Sequence, residues 1–182
     1  MRKCMVTVIA ALLLGASTAN AAVYKFTFES FDSELTATGQ FTVDAAGDVT
    51  AATGAISGLA DQTISAVAAN PSFPGPAYSA DGLFIYNNLY HASGLAFDID
   101  GLLFVTAQNP GGYWNLWGTS PDNYSLWEST GGANYPIQES GSLSVAAAPE
   151  PSTWAMLALG FGALCVVGRR RRRTPRLAPG LG

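Results

Sequence analysis

Between Ala22 and Ala148 the chain never sustains an apolar repeat of three to four residues. It alternates in short bursts that Gly, Pro and Asp cut off. Tyr24, Phe26 and Phe28 are separated by Lys25, Thr27 and Glu29, which is the period of a strand with one buried face. Leu35 to Val43 continues the pattern, and Asp44-Ala45-Ala46-Gly47-Asp48 reads as a turn into Val49 to Ile56. Further strands are expected at Thr63 to Ala68, Leu83 to Tyr86, Leu95 to Ile99, Leu102 to Thr106, Tyr113 to Trp117, Tyr124 to Glu128 and Gly141 to Val145. Asp100-Gly101 reads as a tight hairpin turn between two of them, and the proline-bearing stretch Asn70 to Ala77 as a loop. Strands this short, with turns every 8–12 residues, predict an all-β body: an antiparallel β-sandwich or flattened barrel.

The charge distribution removes whole classes of function. Of the nine bases, only Lys25 lies between Ala22 and Ala148, against twelve acids, so that segment carries −11. Such a body repels phosphate backbones, and no nucleic-acid partner is expected. The two cysteines, Cys4 and Cys165, both fall outside it, so no disulfide staples it. Its 127 residues suffice for a core without one. His91 is the only histidine, which excludes a multi-histidine metal site, and no serine sits in a G-x-S-x-G elbow. No cofactor is expected.

Both ends of the chain are apolar and flanked by positive charge. Arg2 and Lys3 precede the apolar stretch Cys4 to Ala16, and Ala19-Asn20-Ala21 places small residues at both key positions of a cleavage site. Residues 1–21 therefore read as a secretory signal peptide cut after Ala21, handled by secretion and signal-peptidase machinery. At the other end Pro149-Glu150-Pro151 forms a stiff, extended tripeptide. Ser152 to Gly168 follow without a charge, long enough for about 25 Å of transmembrane helix at 1.5 Å per residue. Trp154 suits one membrane interface, and Arg169, Arg170, Arg171, Arg172 and Arg173 suit the cytoplasmic one. Residues 174–182 then form a cytoplasmic tail, and the body lies outside the inner membrane.

This order of elements resembles the PEP-CTERM sorting signal. The resemblance covers residues 149–173 and implies recognition at Pro149-Glu150-Pro151 by an exosortase, a membrane-embedded protease-transpeptidase of Gram-negative bacteria. It implies that the helix and basic residues are removed, after which the body passes to the cell surface or outside the cell. Bacteria with this system typically make exopolysaccharide and biofilms. The tail from Thr174 to Gly182 is longer than the usual pattern. Within the body, Gly101-Leu102-Leu103-Phe104, Asn115-Leu116-Trp117-Gly118 and Tyr124-Ser125-Leu126-Trp127-Glu128 are similar to segments often attached to such signals, a likeness that implies no activity.

Three features of the body are candidate sites. Asp98 and Asp100 place two carboxylates on one strand face at a turn, a weak pattern for calcium. Trp114, Trp117 and Trp127 are candidate sugar contacts, although Tyr113 and Trp117 share one strand face and Trp114 takes the other, so one set fills the core. Twelve acids also make an Asp/Glu pair of the glycosidase type available. The main expectation is an exported, non-enzymatic β-domain protein sorted by an exosortase-type enzyme and associated with exopolysaccharide. The alternatives are a secreted carbohydrate-active enzyme and a permanently anchored sugar- or calcium-binding module.

Overall fold

A computed structural model describes residues 21–59, 61–130 and 135–148. The expected signal peptide (except Ala21), transmembrane helix, arginine cluster and tail lie outside the described residues. Among those described, no helix is long and apolar enough to cross a membrane.

The described residues form ten strands: β1 (Ala22–Ser30), β2 (Thr36–Val43), β3 (Val49–Ser57), β4 (Gln62–Val67), β5 (Ala77–Tyr78), β6 (Ile85–Tyr86), β7 (Leu102–Thr106), β8 (Tyr113–Ser120), β9 (Asn123–Ser129) and β10 (Gln138–Ala147). Eight of them close an antiparallel barrel in the order β1-β10-β9-β8-β7-β4-β3-β2, and β5 pairs with β6 outside it. The barrel closes between its first and last strands, with Tyr24 opposite Ala147 and Ser30 opposite Gly141. Of the two expected architectures, the barrel is the one adopted.

The period-two pattern explains the interior. Phe26 and Phe28 of β1, Ala37 and Phe41 of β2, Ile56 of β3, Leu102 and Phe104 of β7, Trp114 and Leu116 of β8, and Tyr124 and Leu126 of β9 point inward and are buried together. Each fully enclosed Phe or Leu contributes about 1.5–3 kcal/mol relative to exposure. Glycines at inward positions make room for the rings. A Cβ on Gly39 would stand 2.9 Å from Phe26 Cε1, one on Gly141 2.7 Å from Phe28 Cζ, and one on Gly118 2.7 Å from Tyr124 Cε1. Gly39 faces Gly54 across β2 and β3, so Phe26 lies beside a paired notch in the wall.

Three sequence expectations are corrected. Leu95 to Ile99 is not a strand. It folds across the mouth of the barrel, where Phe97 is enclosed between Phe41 and Tyr90 at ring separations of 5.5 and 5.9 Å. Asp100-Gly101 is accordingly not a hairpin turn. Gly101 has φ +78, and its carbonyl accepts the N–H groups of Asn87 and Asn88 at 3.3 and 3.0 Å. Of Leu83 to Tyr86, only Ile85 and Tyr86 pair as a strand. The long excursion between β4 and β7 therefore does two jobs. Its β5–β6 hairpin covers the outer face of β7 to β9 through Ala77, Phe84 and Tyr86, packed on Leu103, Tyr113 and Trp127. Its return segment supplies Tyr90 and Phe97 to the interior.

The Gly39–Gly54 notch should tolerate no side chain. A Cβ on Gly54 meets the Thr38 carbonyl and Gly39 Cα, which are backbone and cannot swing away. Gly54→Ala is expected to cost about 1–3 kcal/mol by overpacking, measured by chemical denaturation.

Candidate functional site

The outer faces of β8 and β9 carry the aromatic candidates. Trp114 and Leu116 point inward, while Tyr113, Asn115 and Trp117 point outward. Trp114 is 0% exposed, and its indole N–H donates to Gln62 Oε1 at 3.1 Å. It presents no face to solvent, so as a sugar contact it is corrected: it fills the core. Trp117 and Trp127 are half-buried on the outside, 5.6 Å apart with planes at 77°. Trp127 meets Tyr135 at 5.4 Å and 64°. These edge-to-face contacts make a ledge rather than a coplanar platform, so a sugar ring could lie on one indole at a time.

The same strands bury a carboxylate that sequence reasoning did not single out. Glu128 follows Tyr124 and Leu126 on the inward face of β9 and is 6% exposed. Its Oε1 accepts Gln62 Nε2 at 2.8 Å and Asn109 Nδ2 at 3.1 Å. Gln62 Oε1 in turn accepts the Trp114 indole and the Thr106 hydroxyl. One rung along β10, Glu139 Oε2 accepts Ser30 Oγ at 2.6 Å and Ser33 Oγ at 2.9 Å. The two glutamates are diagonal neighbours across β9 and β10, because Glu128 N–H bonds the Ile137 carbonyl and Glu139 lies opposite Leu126. That relation places them about 7–8 Å apart at the backbone. The spacing resembles that of paired hydrolytic carboxylates, but Glu128 is enclosed by the amide donors it accepts from. The available signal was parity: a Glu two residues beyond Leu126 falls where an apolar residue is expected.

Asp98 and Asp100 do not share a strand face, and that expectation is corrected. The Asp98 carboxylate accepts Asn87 Nδ2 at 3.0 and 2.8 Å and the N–H groups of Asp100 and Gly101 at 3.0 and 3.3 Å. Its oxygens hold the turn that returns the chain to β7. Burial, and then the nearby Asp98 charge, push the Asp100 carboxyl above its usual range. Asp44 works similarly, accepting the N–H groups of Ala46 and Asp48 at 2.8 and 3.0 Å. Among the described residues, no three His, Cys, Asp or Glu side chains are grouped to hold a metal ion. His91 is exposed, and its backbone N–H donates to Ala96 O at 3.0 Å.

The terminal segments singled out in the sequence adjoin the ends of the barrel. Strand β10 stops at Ala147, and Ala148 N–H donates to the Val23 carbonyl at 2.8 Å. That bond sits on the residue directly before Pro149. At the other end, Ala21 is exposed and immediately precedes β1. Ala19, Pro149, Glu150, Pro151 and Arg169 to Arg173 lie outside the described residues. Residues 147–173 match the family model of the PEP-CTERM protein-sorting motif, 27 of the chain's 182 residues. No curated protein and no solved structure matches the chain. The motif implies export, a membrane-anchored sorting signal and processing by an exosortase-type enzyme.

Two measurements check the reading of the acidic turn. Asp98→Ala leaves the N–H groups of Asp100 and Gly101 without their acceptor and should cost about 1–3 kcal/mol. The loss should be the same with calcium or with a chelator, and a calcium-dependent difference would reinstate the metal reading. Asp100→Ser should do the opposite. A carboxyl with a raised folded pKa favours its neutral form, so its penalty grows as pH rises from the unfolded value of 3.8. The variant should melt higher than wild type at pH 7 and lose that advantage as pH falls below 4, followed by thermal melts across that range.

Proposed function

We propose that this chain, which carries a PEP-CTERM sorting motif, is an exported, non-enzymatic β-barrel protein of the cell surface or extracellular matrix. The signal peptide ends at Ala21, so the mature chain begins at Ala22, the first residue of β1. While unprocessed, the protein is held in the inner membrane by residues 152–168, with the barrel in the periplasm and Arg169 to Arg173 in the cytoplasm. The exosortase-type enzyme then reads Pro149-Glu150-Pro151 and separates the barrel from its anchor.

The observation that carries this reading is the junction: the matched motif starts at the last residue of β10, and among the described residues the final backbone hydrogen bond, at Ala148, directly precedes Pro149-Glu150-Pro151. A domain intended for release needs its core complete before the cut, and every barrel strand ends by Ala147. A non-enzymatic role is supported by the use of the carboxylates, since Asp98, Asp44, Glu128 and Glu139 all accept hydrogen bonds from the barrel's own groups. Exopolysaccharide is the partner we assign to the exported barrel, and the half-buried Trp117 and Trp127 are its contact residues.

Fractionation in the native host tests the reading. Replacing Pro149-Glu150-Pro151 with Ala-Ala-Ala leaves the apolar segment and the arginines intact, so insertion should survive and uncleaved protein should accumulate in the inner membrane. Replacing Arg169 to Arg173 with neutral residues should instead weaken retention and orientation. If the Ala-Ala-Ala protein leaves the inner membrane like wild type, the chain has a plain anchor and the sorting reading fails.

A further inference from the structure

Strand β10 has two edges, and along its second half they differ. Phe31 N–H bonds the Ser140 carbonyl and Ala148 N–H bonds the Val23 carbonyl, so even-numbered β10 residues bond to β1 along the whole strand. Glu128 N–H bonds the Ile137 carbonyl, and the β9 pairing runs from Gln138 to Gly141, so odd-numbered residues face β9. That register stops at Gly141 opposite Tyr124, because β9 begins at Asn123. The N–H and C=O groups of Leu143, Val145 and Ala147 continue along the same edge. Among the described residues, no strand is registered against them. Burial agrees: Leu143 and Val145 point inward yet remain only partly buried, because the wall beside them ends. Elsewhere on the same rim the return segment closes the wall, through Val49 N–H to Asn88 O at 3.0 Å and Tyr90 N–H to Gly47 O at 2.9 Å.

Native edges are commonly protected by Lys, Pro, a bulge or an inward charge. Ser142-Leu143-Ser144-Val145-Ala146-Ala147 has none of these within it, and its pairing with β1 shows no register shift. We propose that this edge is a strand-addition site whose occupant is a second copy of the same chain. The edge is self-complementary. Antiparallel pairing centred on Val145 sets Leu143 against Ala147 of the other copy and Val145 against Val145, which satisfies all three N–H and all three C=O groups on each side. Charge points to the same place. The body carries −11, and two copies repel over most of their surfaces, but β10 from Ser140 to Ala148 is uncharged. Lys25, the body's single base, lies opposite Ala146 on the neighbouring strand. A single such edge per copy is self-complementary about a two-fold axis, so it gives a closed pair rather than a filament. Its few hydrogen bonds do not outweigh the cost of association in dilute solution, so pairing occurs where copies are concentrated in one membrane plane. It rests on the sorting reading for that confinement alone.

In the proposed register Ser144 of one copy lies opposite Ala146 of the other, at a non-hydrogen-bonded position suited to a disulfide. Two differently tagged full-length chains, both with Cys4→Ser and Cys165→Ser, would be expressed together in the native host. One carries Ser144→Cys and the other Ala146→Cys. Mild oxidation should give a mixed disulfide dimer at least tenfold above the homodimer from either chain alone, because like positions are offset by two residues along the strand. Ala147→Pro removes an edge N–H but no bond to β1, and it should lower the cross-link at least fivefold while the barrel's melting temperature holds. Equal homodimer yields, no cross-link, or a cross-link to a different protein would overturn the proposal. The same pair in a Pro149-Glu150-Pro151→Ala-Ala-Ala background separates it from the sorting reading: the cross-link should persist whether or not processing stops.

Discussion

The barrel depends on fitting aromatic rings into an interior barely wide enough for them. An eight-stranded barrel is just filled by its own side chains. This one places Phe26, Phe28, Phe41, Phe104, Trp114 and Tyr124 there, with Phe97 entering from the mouth. The volume is found by deleting side chains from the wall, since Gly39, Gly54, Gly118 and Gly141 all point inward and three of them lie directly against a ring. Closure follows from the same fit. Phe28 of the first strand lies against Gly141 of the last, so the seam between β1 and β10 is set by packing as well as by its ladder. In a strand, glycine ordinarily weakens the element, and here the ring contact offsets that loss.

Strands with one apolar and one polar face were legible from alternation alone, and β1, β2, β3, β7, β8 and β9 lie within a residue or two of the expected runs at most of their ends. The failures share a cause. Leu95 to Ile99 has the composition of a buried strand, but its residues fill the barrel mouth, and composition reports burial without saying whether a ladder or a loop performs it. Asp100-Gly101 has the composition of a hairpin turn, yet the Asp98 side chain replaces the partner strand as acceptor for two backbone N–H groups. Glycines that read as ends of the alternating bursts shape the interior, which requires knowing the strands opposite them.

The candidate sites divide along similar lines. The C-terminal sorting motif is linear, so order and spacing along the chain carry it, and residues 147–173 match it by sequence. The body's sites are spatial. Trp114 and Trp117 are three residues apart and differ completely in surroundings, because one faces Gln62 inside and the other faces Trp127 outside. Glu128 acquires its setting from Gln62 and Asn109, which come from β4 and from the turn before β8. Nothing local to Glu128 announces those partners.

The bond between Ala148 and Val23 holds the end of β10 to β1 up to the residue directly before Pro149. A pull applied to the chain beyond Ala148 would reach the barrel through this bond and the strand that carries it. Tension drawn along β10 runs parallel to the strand, so the hydrogen-bonded pairs from Val23–Ala148 to Phe31–Ser140 share it in shear rather than opening one after another. The seam that completes the fold is thus also the clamp through which force on that end of the chain would enter it.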